Sequence, residues 1–423
     1  MGLEGSFDLH CQIRGYLMEL ITINRKNYSP GKLVELDWKT STLNWAERFN
    51  QIGGFELTTQ AVSGVRALLP ERSMCSLRDS NVVMWVDTHS IETDSDGIDT
   101  LKVTGRSLDF ILTRRIWKNA PYGKKIAMAK KYSIRKAVEV WVWNAICNGT
   151  GNDRIKTSAT YPAANQLPNV VVTDSIPASS DGPDLARKVQ NGYVYDQMST
   201  FLASGKYGLR IVRPNGTKGR VVHVASDGTF STDSVADISD LRFDFYKGRD
   251  ISDRVVFSWK AGHFDNPTYL FSSEQLMTGA FVDGDPRDHY YTDPDIVPGT
   301  NAGWNRLDGY VDGGQKDDLT QGGSESDADF AARKAAAAND FEESLEDLGL
   351  RTVRRDGGHI NGVDGDISPN INFKYGRDYR LGDRVLVQGK YGAHAKKYVT
   401  EFIRSQDGNG EVGAPTLSET LSS

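Results

Sequence analysis

The chain carries 56 acidic residues among its 423, and two clusters of them have a spacing that could hold a hard cation. Asp94, Asp96 and Asp99 recur through the stretch DSDGID, and Asp283, Asp285, Asp288, Asp293 and Asp295 recur further on. Calcium takes clustered carboxylates of this kind, but in a twelve-residue loop closed by a bidentate Glu. Neither cluster has that loop, so an exposed acidic turn and a solvated loop are expected. The seven histidines (His10, His89, His223, His263, His289, His359 and His394) show no His-x-x-x-His or His-Glu-x-x-His pairing, the spacing that sets two imidazoles on one helix face for zinc. Cys11, Cys75 and Cys147 are odd in number and far apart, which indicates neither a disulfide framework nor a zinc site; reduced, buried thiols are expected. There is no Gly-x-Ser-x-Gly elbow, phosphate loop or dinucleotide fingerprint. No catalytic residue, cofactor-binding residue or metal ligand is therefore assigned, and no cofactor is called for. Two kinds of chemistry stay open. Paired acids drawn from distant parts of the chain could hydrolyse glycosides. Trp85, Trp117, Trp141, Trp143, Trp259 and Trp304 could stack on sugars, although on strands and helix faces most such rings are core.

Length alone suggests two or three domains. A hydrophobic fraction of 38% with 25% charged residues describes a folded soluble protein. The net charge of −6 argues against a nucleic-acid binder that works by neutralising phosphates, and is compatible with a surface that DNA passes without sticking. The N-terminus lacks a basic segment followed by an apolar run, and no stretch approaches the ~18 apolar residues of a membrane span. Synthesis in a cytoplasm, with no membrane anchor, is expected.

The elements that must position any site can be read from periodicity. Residues 82–91 and 101–105 read as strands joined by an acidic turn, in which Asp96-Gly97 supplies the positive φ of a tight hairpin. Leu108, Ile111, Leu112 and Ile116 then fall on one helical face, with Ser107 as candidate cap, Asp109 in the first turn and Arg114 and Arg115 in the last. Further strands are expected at 16–23, 33–38 and 54–59. In 41–54, Leu43, Ala46 and Phe49 at spacings of three suggest a short helical turn. Ile134, Ala137, Val138, Trp141, Val142, Ala145 and Ile146 predict a strong amphipathic helix over 133–147. A loop follows, and then a second helix over about 185–203 with Val194, Met198, Phe201 and Leu202 on one face. Strands at 209–213 and 220–224 flank Asn215-Gly216 and so predict a second hairpin. Alternation continues through Leu241, Phe243 and Phe245, and through Val255, Phe257 and Trp259. Strands at 269–271 and 278–282 precede an acidic, glycine-rich loop over 283–326 with one strand near Tyr310-Val311. A third helix spans 327–348, with Phe330, Ala337, Phe341, Leu345 and Leu348 facing inward and Gly349 as its stop. Near the end, Gly382 permits a left-handed turn and Asp383 can hydrogen-bond the turn backbone before a strand at 384–387, which pairs with 398–404. The last 18 or so residues are small and polar, and read as a tail ordered only by a partner.

Several of these stretches together resemble one family. They are the hairpin followed by Gly105-Arg106-Ser107 and a short helix; Asp37-Trp38 with Gly53-Gly54-Phe55-Glu56-Leu57; Asp378-Tyr379 with Leu381-Gly382-Asp383 and the alternating Val385 and Val387; and, more weakly, the run from Trp304 to Asp312. In that order they resemble the tail hub proteins of siphophages, the minor tail or baseplate hub proteins. The likeness covers about two thirds of the chain; 125–205 and 283–303 match nothing in it. It implies an α+β, mainly β fold with two tail-tube-like antiparallel β-barrels and α/β insertions. The implied division is 1–117 as first barrel domain, 118–206 as helical insertion subdomain, 207–405 as second barrel domain with a helical insertion near 327–348, and 406–423 as C-terminal tail. It further implies a non-enzymatic homotrimer at the virion's tail tip, made in the host cytoplasm. That trimer would join the sixfold tail tube and its distal ring to the threefold tip. Its partners would be other copies of itself, the distal tail protein, the tape measure protein and other minor tail or central fibre proteins. Genomic DNA would pass its lumen without specific binding. The alternative from another class is a tail-associated cell-wall hydrolase or carbohydrate-binding protein.

Overall fold

The computed structural model describes residues 18–117, 134–147, 167, 169–175, 192–214, 219–224, 230–235, 240–272, 274, 276–285, 289–292, 303–315, 319–321, 326–353, 360–368, 371–419 and 421. The fold is mainly β, with helices set into it. Its largest sheet has 11 strands and draws on both ends of the chain. In spatial order they are Val256–Ser258, Arg384–Gln388, His394–Asp407, Thr42–Arg48, Gly54–Thr59, Asp99–Ser107, Met84–Thr93, Met74–Leu77, Leu20–Ile23 and Pro30–Leu33, with Gly410–Ser418 paired to His394–Asp407 off this path. All pairings are antiparallel except that of Val256–Ser258 with Arg384–Gln388. The two ends of the path do not meet, so no closed barrel forms among the described strands.

The predicted hairpin is present as Met84–Thr93 against Asp99–Ser107, with Gly97 at φ +76° in the turn. Three neighbouring expectations are corrected. Residues 108–114 form a 3-10 helix rather than an α-helix, and Ile116 lies in the next strand, outside the predicted face. Ser107 does not cap that helix; its hydroxyl donates to Asp109 and accepts from the Gly53 amide at 2.7 Å. Residues 42–48 are a strand, not a helical turn: Leu43, Trp45 and Glu47 are buried in alternation, a period of two that the apolar positions alone disguise because one inward residue is a carboxylate. In the same region the strand expected over 33–38 is confined to Pro30–Leu33. The C-terminal residues are not a loose tail either. Gly410–Ser418 runs antiparallel to His394–Asp407, Pro415 is buried, and Leu421 joins a hydrophobic core.

A second sheet of five strands has the order Tyr207–Val212, Leu241–Lys247, Val170–Asp174, Gly219–Val224, Phe230–Val235. The second predicted hairpin therefore does not form: its two strands exist, but Leu241–Lys247 and Val170–Asp174 lie between them, and the Asn215-Gly216 turn lies outside the described residues. Leu241–Lys247 is buried on both faces, as a strand must be when it is central in a covered sheet. Helix α1, Val62–Leu68, is short and holds Val65 against the first sheet's core. Helices α2, Ile134–Ile146, and α3, Val194–Gly205, cover the five-stranded sheet. Helix α2 follows the predicted face, with Ala137, Val138, Trp141, Val142 and Ile146 all buried. Of the second predicted helix, 185–191 lies outside the described residues, and α3 begins at Val194. Helix α4, Asp327–Arg351, is capped by Ser326, whose hydroxyl accepts from the Asp329 amide. It packs on a three-stranded sheet of Gly279–Asp285, His289–Tyr291 and Asp308–Gln315. Gly349 does not stop this helix. It is buried inside it, where a Cβ would lie 2.3 Å from the Tyr291 ring.

Three hydrophobic cores result. One fills the N-terminal sheet around Leu43, Trp45, Leu57 and Val103; one joins α2, α3 and the five-stranded sheet to Leu108, Phe110 and Leu112; one gathers Phe257, Tyr379, Val385 and Phe402 at the C-terminal end. Among the described residues no helix is long and apolar enough to cross a membrane.

Candidate functional site

A cleft of about 830 Å³ opens where these three cores meet. Its walls come from Thr42–Arg48, the segment 79–83, the 3-10 helix, the strands Tyr207–Val212 and Leu241–Lys247, and the segment 371–381. Charged side chains line it, yet each acid is committed to a neighbour in the fold. Glu47 is buried and accepts from Trp45 Nε1 at 3.1 Å, Ser80 Oγ at 2.9 Å and the Tyr375 hydroxyl at 3.0 Å. Arg404 reaches Asp79 at 2.9 Å and Glu411 at 2.7 Å, tying 79 to the last hairpin. Behind the wall Asp244, 1% exposed, accepts from Thr173 and Ser175 hydroxyls at 2.7 Å and from Arg210 at 2.8 Å. Arg210 in turn lies over the Tyr246 ring at 4.6 Å. Burial pushes the Tyr246 and Tyr375 phenols up, with the Glu47 carboxylate adding to the push on Tyr375, which donates to it. Burial also lifts Glu411, against the pull of Arg404. Asp109 is half-buried, and desolvation raises it to about 6 despite the hydrogen bond from Ser107. The pattern is that of a polar seam fastening cores together, since a buried acid without such partners would be strongly destabilising.

The closing motif does similar work. Gly382 adopts φ +82°, as expected for a left-handed turn. Asp383 is 2% exposed and accepts from the Arg380 amide at 3.0 Å, the Arg249 amide at 2.9 Å and the Arg249 guanidinium at 3.1 and 2.5 Å. The turn at Gly248 is thereby locked to the start of Arg384–Gln388, so tightly that a Cβ on Gly248 would lie 1.8 Å from the Gly382 carbonyl oxygen.

The residues singled out for chemistry fall apart in space. Asp94 accepts from the Asp96 and Ile98 amides at 2.9 Å, so it is spent on the turn's own backbone, and Asp99 accepts from the Thr93 hydroxyl at 2.7 Å. Asp283 accepts from Tyr310 at 2.5 Å, while Asp288, Asp293 and Asp295 lie outside the described residues. No group of three or more potential metal ligands occurs among the described residues. His89 is held by Glu71 and the Leu69 carbonyl, His263 is buried against Phe257 with its basicity lowered by desolvation, and His289 meets Glu342 at 2.7 Å. His10 and His359, like Cys11, lie outside the described residues; Cys75 and Cys147 are free thiols whose burial pushes them up, Cys147 to about 12. Trp141 is buried and Trp85 packs on Phe110, whereas Trp259 is partly exposed beneath Lys390 and Trp304 is wholly exposed. The seam of Glu47, Asp79, Arg404 and Glu411 was not visible in sequence, because its members lie up to several hundred positions apart and share no local pattern.

A family model described as Siphovirus ReqiPepy6 Gp37-like protein matches residues 33–414. The chain belongs to this family. Among solved structures it is similar to the tail protein from Neisseria meningitidis MC58, with 12% identity over 95% of this chain and 97% of that one and a TM-score of 0.47. The 43 kDa tail protein of prophage MuSo2 from Shewanella oneidensis shows 10% identity over 95% and 98%, with a TM-score of 0.47. Prophage tail protein gp18 from Listeria monocytogenes EGD-e shows 11% identity over 96% and 95%, with a TM-score of 0.49. No curated protein sequence matches the chain significantly. In this Gp37-like protein the cleft, the closing turn and the acidic hairpin use the donors and acceptors named above within the chain.

Proposed function

We propose that this Gp37-like protein is a tail protein and the hub of the tail tip, a homotrimer that joins the sixfold tail tube and its distal ring to the threefold tip. Three chains that each present two similar β units would offer six similar faces to the tube while keeping threefold symmetry toward the tip. On this reading the two units are 1–117 and 207–405, each a tail-tube-like barrel unit, with 118–206 and the helix near 327–348 as insertions and 406–423 as the closing segment. The observation that carries the proposal is the 11-stranded sheet: strands from both ends of the chain are hydrogen-bonded into one body at His394–Asp407 against Thr42–Arg48. An adaptor between two rings must transmit force without a soft joint, and a continuous ladder supplies that stiffness. Its neighbours would be the distal tail protein, the tape measure protein and central fibre proteins. The net charge of −6 suits a lumen that DNA leaves without sticking. The hub would perform no chemistry.

Light scattering behind a sizing column tests the assembly. A mass of three chains, held as the protein is diluted, is the expected result; a monomer at every concentration, also when mixed with the distal tail protein, overturns it. A zymogram on host cell wall tests the absence of chemistry, and a lytic band from the pure chain would sink the purely structural reading.

A further inference from the structure

The three-stranded sheet under α4 has two unlike faces. On the helix side Ala280 and Val282 are fully buried, Leu345 of α4 is 1% exposed, and Tyr291 lies against Gly349. On the other side the register brings three aromatic residues into one row across the strands: Tyr290 opposite Phe281, and Phe281 opposite Tyr310. They are 39%, 36% and 67% exposed. The Phe281 and Tyr310 rings are stacked, 13° from parallel with centroids 6.0 Å apart. With strands ~4.8 Å apart, the row is about 10 Å long. Trp304, wholly exposed, stands just ahead of the strand that carries Tyr310.

The rings are held in place by carboxylates on the same face. Tyr290 donates to Asp308 at 2.6 Å, Tyr310 donates to Asp283 at 2.5 Å, and Arg306 clasps Asp308 at 2.9 Å while lying over the Tyr290 ring at 4.9 Å. An ionised carboxylate has about four acceptor sites; Asp308 spends its sites on Tyr290 and Arg306, while Asp283, with one bond from Tyr310, keeps capacity to accept hydroxyl donors beside the rings.

We propose that this face is a binding platform for an uncharged polysaccharide. The C–H faces of sugar rings pack on flat aromatic surfaces, and sugar hydroxyls donate to carboxylates set at the edge. Charge selects among hydroxyl-rich polymers. Among the described residues of this face, Asp283, Asp308 and the exposed Asp312 carry negative charge and Arg306 positive, so uronate, teichoic and nucleic-acid chains are repelled. The platform is independent of the hub reading: a tail tip that meets the cell wall would gain a weak surface grip from it, and a chain with another assembly role would bind the same glycan.

The test is affinity electrophoresis of the full chain in native gels containing hydroxyethylcellulose, glycogen, arabinogalactan or, as the anionic control, polygalacturonate. Retardation by at least one of the neutral polymers and none by polygalacturonate is expected. Tyr310→Ala and Phe281→Ala should each weaken it about tenfold, the worth of one aromatic contact; Tyr310→Phe, which keeps the ring, should retain most of it. Circular dichroism and the sizing profile establish that each variant is folded. The proposal is overturned if no neutral polymer retards the chain, if folded Tyr310→Ala and Phe281→Ala bind as well as the parent, or if these variants instead lose self-association, which would make the face an interface between copies.

Discussion

Asp383→Ala probes the closing turn most sharply. Two partly buried backbone donors, the amides of Arg249 and Arg380, lose their acceptor, at about 1 kcal/mol each. The Arg249 guanidinium also loses its partner, but it is 47% exposed, so that pair contributes less than about 1 kcal/mol. The sum is about 2–3 kcal/mol, borne locally, because the turn at Gly248 is then fastened to the start of Arg384–Gln388 chiefly through the short bridge from Asp250 to Arg384. Arg249→Ala removes the ion pair but leaves both backbone bonds, and is worth less than about 1 kcal/mol. Hydrogen exchange followed by mass spectrometry resolves this local opening, which a single melting temperature for a chain with three cores would blur. Protection in 376–388 should fall about 30- to 150-fold in Asp383→Ala, as 2–3 kcal/mol requires, and by less than about fivefold in Arg249→Ala. Equal effects of the two substitutions would refute the reasoning, since the backbone acceptor role would then carry no weight.

Three further outcomes are expected. Asp109 has its folded value raised to about 6 from 3.8, so the native state binds the extra proton between those limits: its contribution is fully present below about pH 4 and is lost as pH rises through about 6. Asp109→Asn should flatten that part of the stability–pH curve and stabilise the chain above pH 7 by at most about 3 kcal/mol. Gly349→Ala, which in an exposed helix would stabilise by about 1 kcal/mol, should destabilise here, because its Cβ would lie 2.3 Å from the Tyr291 ring; exposure of α4 to limited proteolysis reads this out. Ending the chain at Asp407 removes the strand Gly410–Ser418 and the buried Leu421, and should lower stability by about 2–4 kcal/mol for the lost core side chain alone; unchanged thermal unfolding would mean the segment is a tail after all.

What was legible in the sequence was what is local. The Asp96-Gly97 hairpin, the face of α2, the start of α4 at Asp327 and the Gly382 turn each rest on neighbours within a few positions, and each is present. What was not legible depends on distant partners. Glu47 broke the period of its strand because its hydrogen bonds come from Ser80 and Tyr375. The strands around 215 failed to pair because Leu241–Lys247 and Val170–Asp174 are better placed between them. Gly410–Ser418 turns only Pro415 and Leu417 to the core, too short an apolar face to stand out, and is ordered by the ladder of its neighbour. The row of Tyr290, Phe281 and Tyr310 has no sequence signature either, since only the register brings the three together.

The most direct measurement of the central claim is imaging of virions decorated with an antibody fragment raised against this chain. The hub account predicts label confined to the tail tip, with three fragments per particle in a threefold arrangement. Label along the tube, or a sixfold ring, would contradict it.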